Sequence, residues 1–251
     1  MVHEVFATIA RQYDRMNSLL SFGRDKGWRQ RAVDILAPGA ADTVLDVCCG
    51  TAMLSLEVAK RLGPQGKVIG IDFSPEMLAV GERNLRANPL GSRVELVPGD
   101  ALELPFPDDS FDSAVSAFAL RNLTDVVAAM AEMRRVVRPG GRIVILELAK
   151  PSATVFQRIY YFYFYHLVPL IGRVAVGRSL PYSWLPESVR IFPSQAEVQA
   201  MLSMAGLVNT SYQDLTLGTA AIYWGTKPER PRGLMEAGGD SPQAARSNTT
   251  S

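Results

Sequence analysis

The sequence has very few of the residues that mark secreted or metal-binding proteins. Two of its 251 residues are Cys and two are His. The cysteines, Cys48 and Cys49, are adjacent, so they cannot join distant parts of the chain through disulfides. They indicate reduced thiols, as in a cytoplasmic protein. So few Cys and His residues also argue against a structural zinc site.

The sequence also lacks a charge excess and a long apolar run. Lys and Arg number 26 against 25 Asp and Glu, so we expect no broad basic face for nucleic acid. Residues 1–17 carry charges where a signal peptide would be apolar. The most hydrophobic stretch lies between Arg158 and Arg173, whereas a membrane-spanning helix needs about 17–25 apolar residues. We therefore predict a cytoplasmic chain without a transmembrane segment. Peripheral contact with the inner face of the membrane is left open.

Short apolar segments and helical segments alternate over residues 43–147. The predicted strands are 43–47, 67–72, 94–98, 111–117 and 142–147, and the predicted helices are 51–62, 75–86 and 126–137. Ser74 followed by Pro75 is typical of a helix N-terminus. Strands alternating with helices predict an α/β, Rossmann-like fold, in which a parallel sheet carries helices on both faces.

Ligands of such sheets bind at the carboxyl ends of the strands, so the strand exits hold the candidate site. Asp72 closes the second strand, where a carboxylate can accept hydrogen bonds from both hydroxyls of a ribose; the alternative is a helix cap. The loop after the first strand holds Gly50 without the further glycines of a pyrophosphate cradle, which disfavours a dinucleotide. Gly50 and Thr51 suit a methionine carboxylate or a ribose. Asp46 suits an ammonium group or, alternatively, holds the loop as a buried acid.

The third strand exit carries Asp100 and Ala101. Asp100 can accept from an adenine amino group while the Ala101 N–H donates to a ring nitrogen; the alternative for Asp100 is an acid that stabilises a turn. Cys48 and Cys49 are interpreted as small packing residues, because no base stands nearby in the sequence to activate a thiol.

The combination of these segments resembles class I S-adenosylmethionine-dependent methyltransferases. More narrowly, it resembles the quinone-biosynthesis C-methyltransferases that act on demethylmenaquinol and its ubiquinone-pathway counterpart. The segments that carry the resemblance are residues 45–51, 70–74, 99–101, 104–106, 13–28, 118–122, 135–147 and 167–193. The match covers nearly the whole chain before residue 228.

The resemblance implies a mostly parallel seven-stranded sheet and S-adenosyl-L-methionine as cofactor, contacted by Thr51, Asp72, Asp100 and Ala101. It also implies methylation of demethylmenaquinol to menaquinol, because the Asp46–Thr51 loop is most similar to that of the menaquinone-pathway members. The expected layout is a single domain over residues 1–227. Its parts are a helical lid (1–40), a cofactor-binding core (41–150), an acceptor-side aromatic helical segment (151–200) and C-terminal strands (205–227). Residues 228–251 are poor in large apolar side chains and are expected to be a disordered tail.

On the acceptor side, the resemblance suggests that Arg121 stabilises a phenolate and Asn122 orients the ring or a water; the alternative for both is a pair at a helix start or on the surface. Lid residues Tyr13, Asp14 and Asn17 are expected to cover the prenylated quinol. His166 is either the proton acceptor or a packing residue. The aromatic run 160–165 indicates a buried helix, a homodimer interface, a wall for the prenyl tail or an interfacial membrane anchor.

Four positions depart from the family pattern. We expect His at Asp25, Gly at Ala119, Ser at Ala149, and at Ala117 a Ser that contacts the cofactor. The alternatives left open are a ubiquinone-pathway quinol, another lipophilic phenol, or a cofactor-binding module without catalysis.

Overall fold

The computed structural model describes residues 13–151 and 187–230. The helices of these segments include α1 (Tyr13–Leu20), α2 (Arg24–Leu36), α3 (Met53–Ala59), α4 (Pro75–Arg86), α5 (Val126–Val136) and α6 (Gln195–Met204). The strands are β1 (Thr43–Val47), β2 (Lys67–Asp72), β3 (Val94–Pro98), β4 (Ser113–Ala117), β5 (Arg142–Leu148), β6 (Val208–Leu215) and β7 (Ala220–Thr226). Short 3₁₀ turns cover Gly91–Arg93, Leu120–Asn122 and Thr216–Gly218.

The seven strands form one sheet in the order β3-β2-β1-β4-β5-β7-β6. Strands β1 to β5 pair in parallel, and β7 is antiparallel to both β5 and β6. The predicted mostly parallel seven-stranded sheet is thus confirmed. Because the strand order reverses between β1 and β4, the carboxyl ends of these two strands border the crevice in which such sheets bind ligands.

Both faces of the sheet are covered, as the apolar strands predict. Side chains alternate along β5, so Ile143 and Ile145 belong to the core on one face, and Val144 and Leu146 to the core on the other. Helices α5 and α6 cover the first face, and α2 and α3 cover the second. Because the middle of β5 is buried on both sides, both of its faces carry apolar side chains, which explains the apolar run over residues 143–146.

Several predicted boundaries shift in the structure, and the helix predicted over 51–62 also ends early, at Ala59; two of the shifts have local reasons. The helix predicted to start at residue 51 starts at Met53, because Ala52 before it has φ +64° and lies outside the helical region. The strand predicted from Phe111 starts at Ser113, because Phe111 instead donates its N–H to the Val136 carbonyl at 3.0 Å. Ser74 caps α4 as predicted and accepts from the Met77 N–H at 3.3 Å.

Helices α1 and α2 form a helical hairpin beside the carboxyl ends of the strands. Trp28 of α2 donates its indole N–H to Thr216 Oγ1 at 2.9 Å. This hydrogen bond attaches the hairpin to the turn between β6 and β7. Asp25 accepts from the hydroxyls of Ser18 and Ser21, each at 3.1 Å, and so joins α1 to α2. No helix in the described segments is long and apolar enough to cross a membrane. The apolar stretch 158–173 lies outside those segments.

Gly27 lies on the exposed side of α2, and a Cβ added there would meet no atom within 4 Å. Gly27→Ala should therefore stabilise the protein by about 0.5–1 kcal/mol, because alanine loses less backbone entropy in a helix. Urea denaturation measures the change. Gly141→Ala is the opposite control, because its Cβ would lie 2.4 Å from the Asp112 carbonyl oxygen and should destabilise the fold. A destabilised Gly27→Ala would contradict the helical environment described for Gly27.

Candidate functional site

A cavity of about 750 Å³, counting the part open to solvent, lies at the switch point of the sheet. Its walls come from the exits of β1, β2 and β4, and from the α1–α2 hairpin. The strand exits singled out in the sequence therefore meet at one cavity, with the exception of the β3 exit.

The loop after β1 brings backbone to the cavity surface. Cys48, Gly50 and Ala52 all have positive φ, at 57°, 54° and 64°. The turn is held by the Cys49 N–H, which donates to the Ile71 carbonyl at 3.0 Å, and by the Gly50 N–H, which donates to Asp72 Oδ2 at 2.8 Å. A Cβ on Gly50 would lie 3.1 Å from the Met77 methyl, so a larger residue would crowd the loop as well as strain it.

Asp72 is buried on the cavity wall at the end of β2. Besides the Gly50 N–H, it accepts from the Ser74 N–H at 2.9 Å through its other oxygen. Burial raises the pKa of Asp72 above its ordinary value, and the backbone N–H groups of Ser74 and Gly50 oppose that rise. A carboxylate oxygen has more than one acceptor position, so both oxygens can still accept from ligand hydroxyls.

Asp46 is buried deeper in the cavity wall and is incompletely satisfied. Its Oδ2 accepts from the Ser55 hydroxyl at 2.6 Å, while its buried Oδ1 has no hydrogen-bond partner among the described residues. Burial and, to a lesser extent, the nearby charge of Asp72 raise the pKa of Asp46 to about 7. The Ser55 hydroxyl and the guanidinium of Arg29 favour its ionised form. An unpartnered carboxyl oxygen in this position suits a cationic ligand group.

Asp14 fastens α1 to the loop after β1. It accepts from the Thr51 hydroxyl at 2.6 Å and from the Asn84 side-chain amide at 3.3 Å, and Asn84 also donates to the Thr51 carbonyl at 2.9 Å. Burial raises the pKa of Asp14. Asn17, one turn further along α1, lies on the same cavity wall, whereas the side chain of Tyr13 lies outside the described residues.

Asp100 and Ala101 lie outside the described cavity wall. Asp100 is exposed and its Oδ1 accepts from the Leu102 N–H at 2.9 Å, which is the turn role weighed as the alternative for this residue. Ala101 is buried in the core on the α5 face of the sheet. Asp100 still contributes to the electric field of the site, because it is one of the acids that raise the pKa of the Cys48 thiol.

Cys48 and Cys49 are free thiols. Burial and the surrounding carboxylates raise the pKa of both thiols. Because the nucleophilic form of cysteine is the thiolate, these residues contribute packing and no nucleophile.

The exit of β4 supplies the opposite wall through Ala117, Phe118, Ala119 and Asn122. The Arg121 side chain turns away from this wall and forms a buried ion pair with Glu147 at the end of β5. Its Nη1 also donates to the Phe118 carbonyl at 3.1 Å, and its backbone N–H donates to Glu147 Oε2 at 3.3 Å. The sequence predicts that Arg121 stabilises a phenolate; in the structure its guanidinium pairs with Glu147. His166 lies outside the described residues.

Sequence reasoning missed two charged residues that shape the site. Glu147 could have been found, because it stands at the carboxyl end of a predicted strand. Arg29 is 6% exposed, lines the cavity and pairs with Asp25, the position where the resemblance led us to expect His. The only sequence feature that could have pointed to Arg29 is its place next to Trp28; the structure shows that both residues are on the buried side of α2.

The model of the ubiE/COQ5 methyltransferase family matches residues 1–227 of the chain. A protein named demethylmenaquinone methyltransferase from Desulfitobacterium hafniense (strain Y51) is 46% identical over 227 residues, which are 90% of each chain. A protein of the same name from Geobacillus kaustophilus (strain HTA426) is 43% identical over 226 residues, 90% of this chain and 96% of that protein.

Among solved structures, a SAM-dependent methyltransferase from Aquifex aeolicus is similar at a TM-score of 0.62 and 19% identity, covering 85% of this chain and 97% of that one. The [4+2]-cyclase SpnF is similar at a TM-score of 0.66 and 17% identity, covering 91% and 96%. At these identities the likeness shows the fold alone, and the name of SpnF illustrates that one fold serves different reactions.

The raised pKa of Asp46 predicts a pH-dependent stability that one substitution removes. Between about pH 4 and pH 7 the folded protein holds a proton on Asp46 that the unfolded chain releases, so this group's stabilising contribution falls as pH rises. Asp46→Asn cannot ionise and keeps an acceptor for Ser55. Its free energy of unfolding, relative to wild type, should therefore increase from pH 4 to pH 7, by at most about 1.4 kcal/mol per pH unit. The free energies of unfolding come from urea denaturation of both proteins at several pH values. A difference between the two proteins that stays constant from pH 4 to pH 7 would refute a buried, protonated Asp46.

The ion pair between Arg121 and Glu147 is buried, with side chains 8% and 0% exposed. Glu147→Gln should destabilise the protein by about 3–5 kcal/mol, because it leaves the guanidinium without its counter-charge. The matched control is Asp34→Asn, which breaks an ion pair to Arg61 whose side chains are 40% and 49% exposed. That change should cost about 0–1 kcal/mol. Equal effects in chemical denaturation would mean that Arg121 does not depend on Glu147.

Proposed function

Because this chain belongs to the ubiE/COQ5 methyltransferase family, we propose that it methylates demethylmenaquinol to menaquinol, the last step of menaquinone biosynthesis. The chain is an S-adenosyl-L-methionine-dependent methyltransferase. The observation that carries the choice of acceptor is the identity of 42–46% to proteins named demethylmenaquinone methyltransferase. That similarity extends over the acceptor-side segments as well as the cofactor core.

The residues of the cavity fit S-adenosylmethionine. The buried, unpartnered Oδ1 of Asp46 suits its ammonium group, and Asp72 suits the two ribose hydroxyls. The bare backbone at Gly50 allows a ligand to approach closely. When bound, the cofactor supplies a methyl group activated by a sulfonium. We propose that Asp100 and Ala101, at the neighbouring β3 exit, complete the adenine end of this site.

The chain's own contribution to methyl transfer is alignment and the exclusion of water. Orienting two reactants in this way contributes about 7–11 kcal/mol in favourable cases. Asn122, in the turn after β4, lines the same cavity as Asp46 and Asp72, and we propose that it orients the quinol ring or a water there. Asp14 and Asn17 close the cavity from α1, and we propose that Tyr13 belongs to the same cover.

Arg121 acts in this scheme as a positioning residue. Its ion pair with Glu147 and its hydrogen bond to the Phe118 carbonyl hold the turn that carries Asn122. Transfer to a ring carbon is favoured when the neighbouring hydroxyl of the quinol has lost its proton, so a proton acceptor is needed. We propose His166 for this role.

We further propose that residues 1–227 form a single methyltransferase domain followed by a disordered tail. The aromatic run 160–165 is proposed to contact the prenyl tail of the quinol. A substrate of this kind resides in the lipid bilayer, so we propose peripheral contact with the inner face of the membrane. The same run is the proposed surface of a homodimer.

The test is a mass-spectrometric assay with S-adenosylmethionine and a reduced short-chain demethylmenaquinol. Wild type should add one methyl group to the ring. Asp72→Ala should lose cofactor binding, and Asn122→Ala should lower kcat by about 10- to 100-fold while cofactor binding is retained. Asp34→Ala, an exposed acid on α2, is the matched control and should remain active.

Cofactor binding without methylation of this quinol would refute the proposed acceptor. Methylation of a ubiquinone-pathway quinol in the same assay would move the reaction to that pathway. Turnover of other phenols alone would assign a different lipophilic acceptor.

A further inference from the structure

Arg29 is the only positively charged residue among the described residues of the cavity wall. Its side chain is 7% exposed, and Asp25, its ion-pair partner, is 1% exposed. A buried charge is expensive to maintain, so an arginine at the wall of a ligand cavity needs an explanation beyond solubility. Its ion pair with Asp25 uses Nη2, and a guanidinium has five N–H donors arranged in a fork.

The charged groups around Arg29 are suited to binding an amino-acid zwitterion. The guanidinium lies near enough to Asp46 to favour the ionised form of that carboxyl, whose Oδ1 is buried and unpartnered. The ammonium and carboxylate of an α-amino acid are attached to one carbon atom, so their receptors have to be neighbours. Arg29 and Asp46 meet this requirement within one cavity.

Thr51, which the sequence suggests as a partner for the methionine carboxylate, already uses its hydroxyl in a hydrogen bond. The Thr51 hydroxyl donates to Asp14 at 2.6 Å. A carboxylate placed beside it would meet the Asp14 carboxyl, which is a like charge. Arg29 presents the opposite charge and planar, bidentate donor geometry.

We propose that Arg29 binds the carboxylate of the methionyl group of S-adenosylmethionine, with Asp46 accepting from the ammonium group of the same moiety. This assignment rests on the proposed function only in using the cofactor of that reaction. Asp25 is a positioning residue in this arrangement. Its hydrogen bonds from Ser18 and Ser21 hold the carboxylate that fixes the guanidinium, so Arg29 requires little reorganisation when the ligand binds.

The test compares two ligands by isothermal titration calorimetry. S-adenosylmethionine carries the carboxylate, and decarboxylated S-adenosylmethionine lacks it while retaining the ammonium and sulfonium groups. Wild type should bind the first roughly tenfold to a hundredfold more tightly, as expected for a charge-assisted, bidentate contact. Arg29→Met should bind the two ligands with about equal affinity, because only the ligand with the carboxylate loses a contact.

Two further variants guard against a folding defect in Arg29→Met, which leaves Asp25 unpaired. The double variant Asp25→Asn/Arg29→Met removes both charges, and Arg29→Lys keeps the charge without the fork. The first should show no preference, and the second an intermediate one. Arg31→Met is the matched control, because Arg31 is an exposed residue of α2 that donates to Gln213, and it should keep the wild-type preference.

An unchanged preference in the Arg29 variants that fold would overturn the proposal, as would equal weakening of both ligands. The measurement needs no quinol, so the assignment of Arg29 stands or falls separately from the proposed acceptor. A wild-type protein that binds neither ligand would overturn both proposals.

Discussion

The hydrogen bond from the Gly50 N–H to Asp72 is the contact on which the site depends, because it joins the exits of β1 and β2. The loop between β1 and α3 places Cys48 and Ala52 in left-handed conformations, which cost about 1–2 kcal/mol for each residue other than glycine. Hydrogen bonds from Cys49 to Ile71 and from Gly50 to Asp72 offset that cost. With the loop fixed in this way, Thr51 is aimed at Asp14, and the α1–α2 hairpin gains its attachment to the sheet.

The positions of Asp46, Asp72 and Asn122 at one cavity could be predicted from sequence, because a parallel sheet brings its strand exits to the same edge. The mostly parallel, seven-stranded sheet followed from the family resemblance, whereas the strand order and the antiparallel position of β7 come from the structure. The place of Arg29 at the cavity and the pairing of Arg121 with Glu147 could not be predicted, since each depends on contacts between elements that are distant in the sequence. Arg121 and Glu147 are 26 residues apart, and nothing in the local pattern of either one indicates the other.

Asp100 shows a different limit of sequence reasoning. An acid at a strand exit fits both a ligand contact and a turn, and the two roles give the same sequence pattern. The hydrogen bond to the Leu102 N–H identifies the turn but leaves other oxygen lone pairs available. Residue identity restricts what such a position can do, whereas the direction of the side chain decides what it does.

Two separate stretches of the chain line the cavity: residues 14–29 form one side, and residues from the range 46–123 form the rest. Helix α2 packs apolar side chains into the core of the sheet, whereas α1 is connected to the loop after β1 through polar contacts from Asp14 to Thr51 and Asn84, and such contacts exchange readily with water. A helix attached in this way belongs to the low-stability end of a protein's opening equilibria. Any occupant touching both sides of the cavity therefore acts as a cross-link: it draws α1 into the cooperative unit of the sheet, and its binding energy becomes folding energy for that helix.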